Sequence, residues 1–284
     1  MINEELHEWC GGRGQNQRMP KIFFFDADGT ILDIKKGIAP DVSGALRRLT
    51  DNGHQAFLCT GRSRAFVPKE VEQLPFTGMI TNLGAYIEYQ GKAVYDKELP
   101  LADARYAMET LRKYGLVPVM EGNAHMYYDK WEYTNQVDWY ADLITRDIGQ
   151  RWRSISGNED NLHINKISAK RRPGCNAEAA CKDLAHIFDF IWHEGAFVGS
   201  TIEMISKGHS KGLAIAIMSS ILGVPTEDIF AFGDSNNDLT MFQVAGKKVS
   251  MGDGSEELKA AADYVTAPAF EGGITRALEY YGVI

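Results

Sequence analysis

Hydrophobic and polar positions follow two different rhythms along this chain. The ordered pattern begins near Pro20 with a continuous apolar run, Ile22–Phe25, of the kind buried on both faces of a sheet. Pro40 then opens a helical pattern through Val42, Leu46 and Leu49 that stops at Asn52-Gly53. Gln55–Cys59 predicts a second strand, residues 63–74 a helix interrupted by Pro68, and Gly78–Thr81 a third strand. After Asn82 the texture changes. Residues 85–100 read as a hairpin turning at Gln90-Gly91. A helix over 101–114 would bury Leu101, Ala104, Ala107, Met108 and Leu111. Strands are expected at 117–120 and 125–129, a helix at 137–148, a strand at 162–169, a helix at 177–190 and a strand pair across 191–205. From Lys207 the strand–helix alternation returns. Helices are expected at 211–222, 237–244, 255–262 and 273–281, with strands at 228–232 and 248–251.

Alternating strands and helices imply a parallel sheet wound on both faces. The expected fold is an α/β, doubly wound, Rossmann-like core over residues 20–82 and 207–284. An α+β unit over 83–206, long enough to be a domain, interrupts it. Residues 1–19, rich in Gly, Gln and Arg, read as a poorly ordered N-terminal extension.

Composition narrows the field without choosing a function. A hydrophobic content of 44% across 284 residues is ample for a buried core. The net charge of −8 and the lack of any Lys/Arg run speak against nucleic acid as a partner. An anionic substrate would therefore need local positive groups or a metal. Cys10, Cys59, Cys175 and Cys181 form no CxxC pair, which predicts reduced thiols. No apolar stretch approaches a membrane span, and the N-terminal residues carry no apolar signal core. A cytoplasmic monomer or homodimer is expected.

The chemistry gathers at strand ends. The first strand runs into Asp26-Ala-Asp28-Gly-Thr30, the second into Thr60-Gly61-Arg62, and a later one into Gly233-Asp234-Ser-Asn-Asn237-Asp238. Ligands of open parallel sheets bind beyond the C-terminal ends of the strands, so these groups can share one rim. Several carboxylates together repel unless a cation joins them. An oxygen-only set suits a hard ion, Mg²⁺ best of all. The hydroxyl of Thr60, the loop amides near Gly29 and Gly61, and the charge of Lys211 in Gly208-His-Ser-Lys211-Gly would suit a phosphoryl group.

With DADGT, LCTGR, SKG and GDSNND in this order, the chain resembles the haloacid dehalogenase (HAD) superfamily, in particular its Cof-like phosphatases with a large inserted α/β cap. The resemblance spans about residues 20–284. It departs at Asp253-Gly254, where Asn-Ala is usual, and at Asn82-Leu83-Gly84, where Leu83 intervenes.

The resemblance implies an Mg²⁺-dependent phosphatase of small phosphorylated metabolites, sugar phosphates foremost. Asp26 would be the nucleophile, and Asp28 the general acid and base, which argues against a dehalogenase. Thr60, Gly61, Lys211 and Asn237 would hold the substrate phosphate. Asp26, the carbonyl of Asp28, Asp234 and Asp238 would surround the metal. Arg62, Asn82 and Lys166 are candidate substrate contacts. The alternative role for Thr60 is a helix cap, and Arg62 is equally placed to form a structural ion pair. Cap closure would exclude water and select the leaving group. A phosphomutase of the same superfamily and a non-catalytic phosphometabolite-binding protein are the alternatives.

Overall fold

The computed structural model describes residues 20–133, 148–193 and 201–284. The expected extension over 1–19 and nearly all of the expected helix at 137–148 lie outside them. The described chain forms two compact units. One comprises residues 20–61, 70–95 and 210–284, and the other residues 62–69 and 96–209.

The first unit is built on an eight-stranded sheet. Its order is Tyr264–Val265, Lys247–Ser250, Ile229–Gly233, Ile22–Phe25, Gln55–Cys59, Gly78–Thr81, Tyr86–Tyr89 and Lys92–Asp96. The first six run parallel, and Tyr86–Tyr89 turns back antiparallel to Gly78–Thr81. Side chains alternate across a strand, so a fully apolar strand feeds both faces. Ile22, Phe24, Phe57, Cys59 and Ile80 join a core with Ala214, Ile215 and Met218 of the helix Lys211–Leu222. Phe23 and Phe25 point the other way, where Phe23 stacks on Phe230 at 4.4 Å and Phe25 meets Phe232 at 4.6 Å. Tyr281, just past the helix Gly273–Tyr280, covers Phe230 edge-on. That helix packs in turn on Val42–Asp51, which buries Val42, Ala45, Leu46 and Leu49. The sheet is thus wound on both faces.

The second unit has a six-stranded sheet, ordered Trp152–Arg153, Met126–Tyr127, Val117–Glu121, Lys166–Lys170, Thr201–Ser206 and Phe188–His193. Met120, Ile167, Ala169, Ile202 and Met204 pack under the helices Leu101–Lys113 and Ala177–Leu184. Glu121, Lys166 and Ser168 are also buried, and hydrogen bonds among Lys166, Ser168, Glu121 and Glu203 form a polar counterpart to that core. Cys59, Cys175 and Cys181 are free thiols.

Several elements differ from the sequence reading. The hairpin after Asn82 completes the larger sheet, because Tyr86, Ile87 and Tyr89 pair with Gly78–Thr81 and extend its core. The passage into the second unit therefore falls at Asp96 and not at Leu83. The helix expected over 63–74 is two short pieces, Arg64–Phe66 and Lys69–Glu72, split at Pro68, whose ring excludes a continuous helix. Residues 62–69 also belong to the second unit. There the Ala65 amide donates to the Gly122 carbonyl at 3.4 Å, and Arg151 donates to the Val67 carbonyl at 3.0 Å. The helix expected over 177–190 ends at Leu184, and Phe188–His193 is a strand paired with Thr201–Ser206. Its aromatic and β-branched run favours a pleated surface over a helix. The strand expected at 162–169 begins only at Lys166.

Candidate active site

Four parallel strands deliver the candidate groups. Asp26, Thr60, Asn82 and Asp234 each follow the last residue of a strand, and those strands are neighbours in one sheet. Their ladders continue one residue past the strand ends. The Asp26 amide donates to the Phe232 carbonyl at 3.0 Å, and the Thr60 amide to the Ile80 carbonyl at 2.9 Å.

The turn after Asp26 folds on itself. The amides of Thr30, Ile31 and Leu32 all donate to the Ala27 carbonyl, while the Gly29 amide donates to Leu32. Gly29 has φ +84°, a conformation that favours glycine, and a Cβ there would overlap the carboxylate of Asp234. Thr30 donates its hydroxyl to that same carboxylate at 3.3 Å. The first turn and the later acidic loop are therefore built against each other.

Lys211 joins the rest. Ser210 caps its helix by accepting from the Leu213 amide, which fixes Lys211 in the first turn. Its Nζ donates to Asp26 at 2.5 Å, to Asp238 at 2.7 Å and to the Asn237 side-chain oxygen at 3.4 Å. Lys211 and Asp238 are fully enclosed, and Asp26 nearly so. Asp238 spends its second oxygen on the amides of Asp234 and Ser235, at 3.0 and 3.1 Å. The sequence thereby closes a tight loop in which one carboxylate sets both the backbone and the lysine.

Carboxylate oxygens of Asp26, Asp234 and Asp238 lie within 4.8 Å of one another. Three carboxylates face one ammonium, so the cluster carries two uncompensated negative charges when fully ionised. Its protonation shows the strain. Burial and the neighbouring Asp238 push the Asp26 carboxyl well above its usual range, although Lys211 opposes them. Burial and Asp238 likewise push Asp234 up to about 7. Burial works against the Lys211 charge, but Asp238 and Asp26 override it and hold the lysine protonated. A buried, all-oxygen site with two surplus negative charges fits a hard divalent cation. The carboxylate of Asp28 is not one of the three, and the resemblance assigns Asp28 its backbone carbonyl as ligand.

The remaining candidates divide between the units. Thr60 is buried, and Gly61 follows it. Asn82, Leu83 and Gly84 have φ of 53°, 53° and 96°, three left-handed residues in succession. The Leu83 amide donates to the Thr60 carbonyl at 3.3 Å, tying this turn to Thr60. Arg62 and Lys166 belong to the second unit. Arg62 stacks on Phe66 at 4.6 Å and donates to its carbonyl. Lys166 donates to Glu203 at 2.9 Å, with Glu121 at 3.4 Å.

Sequence reasoning passed over Ser235 and Ser255. Ser235 donates its hydroxyl to Asn237 at 3.0 Å. Ser255 donates its own to Asn236 at 2.6 Å while accepting from the Leu258 amide at 3.3 Å. The Ser-Glu-Glu-Leu run announces Ser255 as a helix cap, but nothing local announces its reach back to Asn236.

A family model of haloacid dehalogenase-like hydrolases matches residues 23–278. YkrA of Bacillus subtilis is 29% identical over 268 residues, covering 93% of this chain and 98% of that protein. YitU of the same organism, a 5-amino-6-(5-phospho-D-ribitylamino)uracil phosphatase, is 28% identical over 272 residues, covering 92% and 97%. A solved structure from Geobacillus kaustophilus superposes with a TM-score of 0.80 at 27% identity, over 93% of this chain and all of that one. The chain belongs to the haloacid dehalogenase-like hydrolases. Within them it is a Cof-like phosphatase, a phosphoric monoester hydrolase.

Proposed function

We propose that this phosphatase uses Mg²⁺ and hydrolyses small phosphorylated metabolites, sugar and polyol phosphates foremost, through an aspartyl-phosphate on Asp26. The observation that carries the reading is the buried contact of Lys211 with Asp26 and Asp238 beside Asp234. A protein that only bound phosphate would gain little from three carboxylates facing an anion. The substrate class draws on YitU, whose named substrate is a phosphorylated ribityl chain.

In this reading Asp26 attacks phosphorus and the bond from phosphorus to the leaving oxygen breaks. Asp28 gives its proton to that oxygen. Asp28 then takes a proton from a water, which attacks the phosphorus and releases inorganic phosphate and free Asp26. Thr60, Gly61 and Asn237 hold the phosphoryl oxygens, and Lys211 stabilises the charge that builds on them. Asp26, the Asp28 carbonyl, Asp234 and Asp238 hold the metal. A bound Mg²⁺ supplies charge compensation to the carboxylates and to the phosphoryl group. Asn82, in the same unit as the acidic cluster, is the candidate contact to the rest of the substrate.

The test is phosphate release across a panel of sugar, polyol, nucleotide and cofactor phosphates, with Mg²⁺ and with EDTA. Asp26→Asn is assayed alongside. Release that needs Mg²⁺, favours polyol esters and is lost in Asp26→Asn is the expected result. Undiminished release in EDTA, or in Asp26→Asn, would overturn the metal or the nucleophile respectively.

A further inference from the structure

We infer that Ser255 is a positioning residue for Asp234, and that this phosphatase sets its affinity for the divalent cation through a clamp from outside the acidic loop. The inference rests on the reading of Asp234 as a metal ligand. The backbone of Asp234 is gripped from both sides. Its amide donates to Asp238, and its carbonyl accepts the Ser255 amide at 2.7 Å. The Ser255 hydroxyl bonds Asn236, two residues further along the same loop. One residue at the start of the helix Glu256–Ala261 therefore holds the acidic loop at two points. Gly254 makes the approach feasible, because a Cβ there would press on the Asp234 carbonyl at 2.9 Å and on Ser250 at 3.0 Å.

The geometry gives the clamp its purpose. The Asp234 carboxylate accepts the Thr30 hydroxyl at 3.3 Å, a long contact that restrains it weakly, and shares a hydrogen bond with Asp26. These side-chain contacts can align it only if the peptide groups on either side fix where the side chain starts. In metal sites, partners behind a ligand orient it, and their loss weakens binding without removing a ligand.

The test titrates MgCl₂ alone into the full chain and follows the thermal midpoint, with no substrate present. Five proteins are compared: the parent, Ser255→Gly, Ser255→Thr, Asn236→Ala and the double variant of Ser255→Gly with Asn236→Ala. Glycine retains most helix-capping ability while deleting the hydroxyl, so this variant separates the clamp from the cap. Asn236→Ala deletes the hydroxyl's acceptor and leaves the cap intact.

Ser255→Gly and Asn236→Ala should each weaken Mg²⁺ by about tenfold. The double variant should be no weaker than either alone, because both remove one bond. Ser255→Thr should restore the parent's affinity. In turnover assays the Mg²⁺ requirement of Ser255→Gly should rise while kcat at saturating Mg²⁺ holds. An unchanged Mg²⁺ midpoint in Ser255→Gly, beside a responsive parent, would overturn the clamp alone. No Mg²⁺ response in the parent would overturn the metal reading and the clamp with it.

Discussion

Lys211 donates to Asp26 at 2.5 Å, with both side chains withdrawn from water. Removing one partner of such a pair leaves the other's charge buried and uncompensated, which typically costs about 3–5 kcal/mol. Lys211→Met should therefore lose that order of stability at neutral pH in EDTA, read from urea unfolding. It should also lose activity at every Mg²⁺ concentration, since added metal cannot replace an ammonium aimed at Asp26. A variant as stable as the parent in EDTA would mean that the carboxylates simply take up protons.

Gly29 tests how closely the two acidic segments are fitted. Gly29→Ala places a methyl where the Asp234 carboxylate sits, at a φ of +84° that disfavours side chains. Its global stability should fall by roughly 1–2 kcal/mol. The larger effect should be on the cation, as a weaker Mg²⁺-induced rise in thermal midpoint. Equal Mg²⁺ responses in Gly29→Ala and the parent would show that the Asp234 side chain can move aside without consequence.

Much of this site was legible because its chemistry is local in sequence. Strand ends follow from apolar runs, and Asp26, Thr60, Lys211 and Asp234 sit at strand or helix ends. The acidic trio then follows from the parallel order of the sheet. The rest required contacts between distant residues. The hairpin at Gln90-Gly91 was recognisable, but which sheet it would join was decided by Tyr89 and Ile87 meeting the core around Phe57. Residues 177–190 read as one helix because Phe188 and Phe190 fit either periodicity. Only pairing with Ser206 and Met204 resolves them as strand. The clamp from Ser255 spans nineteen residues through a single hydroxyl, and no spacing rule encodes it.

That hairpin gives a test of stability remote from the chemistry. Gln90 and Gly91 form its two-residue loop with φ of 49° and 74°, the signature of a type I′ turn. Asparagine tolerates the left-handed conformation better than glutamine. Gln90→Asn should stabilise the protein by up to about 1 kcal/mol, read as a higher urea midpoint at unchanged slope, with turnover unaffected. A lower midpoint would mean that the Gln90 contact to the Tyr89 hydroxyl at 3.4 Å outweighs the turn preference.

Acidity should act on the two units with opposite sign. In the first unit, Asp234 is raised from 3.8 to about 7, so the metal-free fold binds a proton that the unfolded chain releases. The stability from that proton is fully present below about 4 and is lost as pH rises through about 7. Cation binding needs the ionised form, so the Mg²⁺-induced rise in thermal midpoint should be larger at pH 8 than at pH 6. In the second unit, burial disfavours the Glu203 charge, but Lys166 overrides it and draws the carboxyl down from 4.5 to about 2. Its contribution is present above 4.5 and is lost as pH falls toward 2. Glu203→Gln should therefore destabilise the second unit at pH 7 and flatten its acid sensitivity, leaving the Mg²⁺ response unchanged. Hydrogen exchange at pH 5 and pH 8 in EDTA reads the units separately. Amides of Ile22–Phe25 should exchange more readily, relative to intrinsic rates, at pH 8. Those of Lys166–Lys170 should not. Parallel behaviour of the two strands would mean that the acidic cluster does not govern the stability of its own unit.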